Sequence, residues 1–169
     1  MEAIIKFVAY AIICLIGMPI VTILHELGHA IMQLIFTKGK VNVIIGNGKL
    51  DMKFTINRLT INLKGYESIG ALSYGFSRGS IADSKFKNIL IYLGGPLVSV
   101  LICITTYITI FKIDNIFFIY AMNAFFWCSL FSTLCTLIPM KYNYYPYEGY
   151  YSDGYKIVQV LKSKKGVCK

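Results

Sequence analysis

His25-Glu26-Leu27-Gly28-His29 contains the only two histidines of this chain. On a helix, residues four apart lie one turn apart on the same face. Two imidazoles at that spacing can bind one zinc ion. The glutamate between them can act as general base on a zinc-bound water. Upstream, Ala3 to Leu24 carries one charge, Lys6. Ionisable groups in so apolar a stretch are costly, and they mark function more often than packing. The bland alternative is a pair of satisfied core histidines, and it leaves Glu26 as an unpaired buried carboxylate.

Catalytic zinc takes three protein ligands and keeps one position open. No third ligand lies nearby. Ile35 stands where a histidine six residues after His29 would be. The next acid is Asp51 and the next glutamate is Glu67. With no other histidine, the third ligand is expected to be a remote carboxylate. Asp51, Glu67, Asp83, Glu148 and Asp153 all stay open, while Asp114 falls on the far side of the membrane in the topology below. There are five cysteines, Cys14, Cys103, Cys128, Cys135 and Cys168, and no C-x-x-C pair. They read as small buried thiols. Zinc ligation by Cys128 or Cys135 has no motif behind it. No serine or cysteine nucleophile has a further histidine to activate it.

The chain around this motif is that of a membrane protein. It is 56% hydrophobic with mean hydropathy +0.61, against roughly 45–50% apolar in soluble domains. Its 169 residues fit one domain. Three stretches exceed the roughly 20 residues needed to cross hydrocarbon: 3–36, 88–111 and 116–138. Gly17-Met18-Pro19 should kink the first or split it into a re-entrant half and a span. The N-terminal apolar run is too long for a cleaved signal peptide and lacks a small-residue cleavage site.

The net charge of +9 follows the same topology. Fifteen of the 17 basic residues fall in 37–87 and 139–169. Three crossings put both segments on one side, and the positive-inside rule makes that side the cytoplasm, with the N-terminus outside. Interleaving with apolar segments argues against a nucleic-acid surface. The metal motif then lies near the cytoplasmic side, about 14 Å along the helix from Lys38.

Residues 40–77 are β-rich, with turn signals at Gly46-Asn47-Gly48 and Asn57-Arg58. A small antiparallel sheet is expected there, its fourth strand near Ile69 to Tyr74. Tyr142 to Tyr155 holds seven tyrosines and reads as an interfacial loop, followed by a short helix over 154–162. Residues 139–169 thus form a loop and short helix. Asn123 reads as an interhelical hydrogen-bonding group, and the span serines and threonines, Ser99 included, as bonding helix backbone.

The ordered set His25-Glu26-Leu27-Gly28-His29-Ala30, Gly94-Gly95-Pro96, Leu137-Ile138-Pro139 and Ser152-Asp153-Gly154 resembles the site-2 protease family of intramembrane zinc metalloproteases. The resemblance covers nearly the whole chain and matches a minimal three-helix core. It implies His25, His29 and Asp153 as ligands of one zinc, with Glu26 as catalytic base. Glu148 is the reserve for Asp153. Ser99 and Thr136 stand where that family often carries asparagine, and the gap from Pro139 to Asp153 is longer than its common form. The implied activity is cleavage of transmembrane or membrane-associated peptides in the lipid bilayer. The alternative is a membrane scaffold or pseudoprotease that binds metal or substrate without cleaving.

Overall fold

The computed structural model describes residues 1–163, with the backbone alone at positions 2, 3 and 5. Lys164, Lys165, Lys169 and Cys168 lie outside the described residues. Among the described residues, three helices are long and apolar enough to cross a membrane: α1 (Glu2–Phe36), α2 (Lys85–Ile110) and α3 (Ile116–Leu137). α1 runs without interruption through Pro19. The first apolar stretch is therefore one helix, not a re-entrant half and a span. Large apolar side chains such as Phe7, Ile16, Leu101, Phe117 and Phe131 are exposed on the bundle surface, an arrangement suited to hydrocarbon.

α1 and α2 meet at glycines. A Cβ on Gly28 would run into the Gly94 carbonyl, and one on Gly94 into the Gly28 carbonyl. Small residues let membrane helices approach to backbone contact, and here the contact presses the histidine face of α1 against α2. α2 turns into α3 through 111–115, where the Asn115 carboxamide oxygen accepts from the Phe117 and Phe118 amides (3.0 and 3.4 Å) and caps α3. Thr105, Thr106, Thr109, Thr133 and Thr136 bond to carbonyls of their own helices. Asn123 does the same, donating to Ile119 O at 3.0 Å, and among the described residues it does not bridge helices as expected. A carbonyl one turn back is the nearest acceptor in a medium without water.

The region between α1 and α2 forms β1 (Val41–Gly46), β2 (Met52–Ile56), β3 (Leu59–Gly65) and β4 (Gly75–Arg78), in the order β2-β3-β1-β4. The sheet is mixed, not antiparallel as expected: β1 pairs with β3 in parallel, while β2–β3 and β1–β4 are antiparallel. The reason is burial. β1 presents Val41, Val43 and Ile45, all at most 2% exposed, to Ala30 of α1. The most apolar strand takes an interior place, and the two-residue turn Asn57-Arg58 folds exposed β2 back outside β3. At the end of the parallel pair, Gly46 and Gly65 both adopt positive φ (81° and 68°) and touch where the register shifts. The predicted fourth strand also moves. Ile69–Ala71 is a single 3-10 turn with Ile69 exposed, and β4 begins only at Gly75.

Arg58 ties the sheet to α1. Its guanidinium donates to Thr37 O (2.7 Å) and Leu34 O (2.8 Å), unpaired carbonyls at the helix C-terminus. After α3 the chain closes a loop through an antiparallel bridge between Lys141 and Tyr151, then enters α4 (Asp153–Lys162). Ser152 caps α4, its hydroxyl accepting from the Tyr155 amide (3.1 Å) while donating to Ile138 O (2.7 Å). The loop packs on the sheet region through Tyr147 and Ser73, whose hydroxyls lie 2.7 Å apart, and through Asn47, which donates to the Tyr145 hydroxyl (2.9 Å). The described parts of the two segments richest in basic residues, 37–87 and 139–163, therefore gather at one end of the bundle.

Candidate metal centre

His25, Glu26 and His29 lie on the buried face of α1, each less than 9% exposed. One ligand atom from each, an imidazole nitrogen or a carboxylate oxygen, lies within 4.8 Å of the other two. Of the five remote acids, the structure brings Asp153 to them. Ser152 fills the N-cap, which leaves the Asp153 side chain free to turn inward from the first turn of α4. Asp153 is 5% exposed. Asp51 instead pairs with Lys53 at 2.8 Å, Glu67 bonds Tyr145, and Asp83 and Glu148 are exposed.

Asp153 Oδ2 lies 3.2 Å from His25 Nε2 and 3.1 Å from His29 Nε2, and the two Nε2 atoms are 3.3 Å apart. This is a nearly equilateral triangle. With zinc–nitrogen bonds of about 2.0–2.1 Å, tetrahedral ligand atoms sit about 3.3 Å apart. Two imidazole nitrogens and a carboxylate oxygen converging in a buried pocket need positive charge between them, which a proton on an imidazole or a metal ion can supply. Gly95 of α2 leaves the room: a Cβ there would collide with both Nε2 atoms. The triangle and the missing side chain are what one small metal ion needs. Glu26 remains beside the triangle, outside its three tight contacts.

The far side of each ring is held. In the tautomer that leaves Nε2 free, His25 Nδ1–H donates to Ser99 Oγ (2.9 Å) and His29 Nδ1–H donates to Ile91 O (2.7 Å). Both partners belong to α2. Outer hydrogen bonds of this kind fix ring orientation and raise ligand basicity. Asp153 is oriented the same way, its Oδ1 accepting from Lys156 at 3.0 Å. When His29 is instead protonated at Nε2, burial pushes the Asp153 carboxyl up, but the His29 imidazolium and Lys156 outweigh it and hold the group well below the usual carboxylate range.

A cavity of about 140 Å³ opens beside the triangle. Its walls come from all four helices, with Phe131 and Cys135 on the α3 side, from β4 with the preceding Tyr74, and from the tyrosine-rich loop. Gly75 of β4 lies directly against Thr22 and Glu26. Tyr74 and Tyr147 pack at 5.3 Å between ring centres, Phe76 and Tyr150 at 5.7 Å. The loop is thus a wall of the site as well as an aromatic rim.

No family model matches the chain. It is 34% identical, over 156 residues, to the Bacillus subtilis (strain 168) protein described as "Uncharacterized membrane protein YwmF", covering 88% of this chain and 86% of that protein. The chain belongs to the family of that membrane protein. The relationship and the three apolar helices agree on a multi-pass membrane protein.

Two residues escaped sequence reading. Ser99 reads as a backbone-bonding serine, yet it is fully buried and holds His25. Its signal is position, since it stands three residues after Pro96 where the resembled family often has asparagine. Gly95 enters the sequence reading only as part of the Gly94-Gly95-Pro96 motif, yet it makes the space between the histidines. Nothing in its local sequence separates it from Gly94.

Proposed function

We propose that the chain is an intramembrane zinc endopeptidase of the site-2 protease type, acting on transmembrane or membrane-associated peptides. The observation that carries the reading is the triangle of His25 Nε2, His29 Nε2 and Asp153 Oδ2, with Glu26 beside it on an apolar helix of membrane-spanning length. Two imidazoles and a carboxylate form a donor set that suits catalytic zinc. Zinc held by these residues would supply Lewis acidity, lowering the pKa of a water and polarising the scissile carbonyl.

The remaining steps belong to the chain's own groups. Glu26 takes the proton as the water oxygen attacks the carbonyl carbon. As the C–N bond breaks, Glu26 delivers that proton to the leaving amine. His25 and His29 hold their rings through Ser99 and Ile91 O. A helical substrate shields its amides, so it must unwind to be cut. β4 is an edge strand beside Glu26 and can hold an extended segment by strand addition. The positive-inside rule supports an N-terminus outside and a site served from the cytoplasm.

The test is bound zinc per chain in detergent-purified wild type, His29→Ala and Asp153→Ala, paired with cleavage by wild type and Glu26→Gln. One zinc in wild type, weakened in both ligand variants, with turnover lost but zinc kept in Glu26→Gln, is the expected result. Zinc kept by Asp153→Ala would overturn the ligand set. A folded, zinc-loaded wild type that cleaves no better than Glu26→Gln would make the chain a non-catalytic scaffold.

A further inference from the structure

Gln33 lies one turn beyond His29 on the same face of α1. It is 7% exposed and lines the cavity, yet its carboxamide oxygen is buried with no hydrogen-bond partner among the described residues. Buried carbonyl oxygens without partners are rare and destabilising, and a native one calls for an explanation. A folding role supplies none, because an apolar side chain of the same shape would fit without the loss. Where it rests, the oxygen is closed to solvent.

We infer that Gln33 is a substrate-binding residue whose carboxamide oxygen accepts a hydrogen bond from a main-chain N–H of an extended peptide. This rests on the protease reading above and adds a subsite to it. β4 and α1 run side by side along the cavity. Gly75 packs on Glu26, and Gly79, just past the end of β4, packs on the Gln33 carboxamide. A peptide laid along β4 from the histidines therefore passes Gln33. The distance from His29 to Gln33 is about 6 Å of helix, or roughly two residues of extended chain. The terminal torsion of a glutamine is broad. The oxygen makes no bond where it rests, so turning it toward the peptide breaks none. An incoming N–H finds an acceptor that is already desolvated and unmatched. Such a site favours a peptide that has unwound over one still helical, whose amides are occupied.

The test uses zinc-loaded protein in detergent, wild type and Gln33→Met, and two kinds of probe. Acetohydroxamate reaches only the metal. Peptide hydroxamates extending three residues to either side of the chelating group also reach along β4. The expected result is acetohydroxamate affinity unchanged in Gln33→Met, affinity for one peptide hydroxamate about tenfold weaker, and thermal stability equal or higher. Peptide hydroxamates that bind both proteins equally, with acetohydroxamate binding intact, would overturn the inference and leave the protease reading standing. Failure of every hydroxamate to bind zinc-loaded wild type would remove the protease reading, and this inference with it. A Gln33→Met protein that melts lower and loses affinity for both kinds of probe alike would assign Gln33 a structural role and overturn the inference.

Discussion

Ser99 on α2 holds the imidazole of His25 on α1: its hydroxyl oxygen lies 2.9 Å from Nδ1, in a position fully closed to solvent. The bond crosses between two membrane helices and sets which way Nε2 points. Removing partners of this kind costs about 10–100-fold in metal affinity. Ser99→Ala is expected to weaken zinc binding at least tenfold in competition with a chelator, with no loss of helicity. The change deletes one hydroxyl from a packed site and leaves the ring free to rotate. Zinc affinity equal to wild type would show that His25 is held by packing alone.

Gly95 gives a sharper steric prediction. Alanine is the better helix former by about 1 kcal/mol, so Gly95→Ala should leave α2 helical. Its methyl group would collide with both Nε2 atoms. Zinc retention is expected to fall by more than tenfold while circular dichroism stays that of wild type. Full zinc occupancy in this variant would mean that the rings do not converge beneath Gly95.

The parts legible in the sequence are those set by local periodicity and by length. Three spans follow from apolar stretches of sufficient length, and the pairing of His25 with His29 from a separation of four. Asp153 is different. It lies 124 residues from His29, and only the resemblance separated it from four other acids. What brings it in is tertiary: Ser152 takes the helix cap, and Gly154 packs against α3. The sheet order was illegible for a similar reason. Strand signals in 40–77 show where strands form, but the choice of β3 over β2 as neighbour to β1 depends on which strand buries Val41, Val43 and Ile45 on α1. Ser99 looks like Thr105 or Thr106 in sequence, and only the proximity of α1 gives its hydroxyl a different partner.

Gly154 carries the placement of Asp153. A Cβ on Gly154 would overlap the Leu137 carbonyl at the end of α3. Gly154→Ala must therefore push α4 away from α3, and Asp153 moves with it. Overpacking of this kind costs about 1–3 kcal/mol. A lower melting temperature and weaker zinc binding are expected together. Zinc titration combined with a melting curve checks both, and a variant that lost neither would break the link between the α3–α4 contact and the ligand.

Strand addition makes a prediction about one backbone amide. The Gly46 amide donates to Tyr74 O at 2.7 Å, so this pair is a hydrogen-bonded one. By alternation along the antiparallel β1–β4 register, Phe76 and Arg78 bond to β1, while the amides of Gly75 and Ser77 point to the open edge. Proline at 77 removes an outward N–H and leaves the β1 ladder intact. Proline at 76 removes a ladder bond. Ser77→Pro should therefore keep its fold and its zinc but cut peptide cleavage at least tenfold, whereas Phe76→Pro should lower stability first. Cleavage by Ser77→Pro at the wild-type rate, from protein that melts normally, would mean that substrate does not pair with this edge of β4.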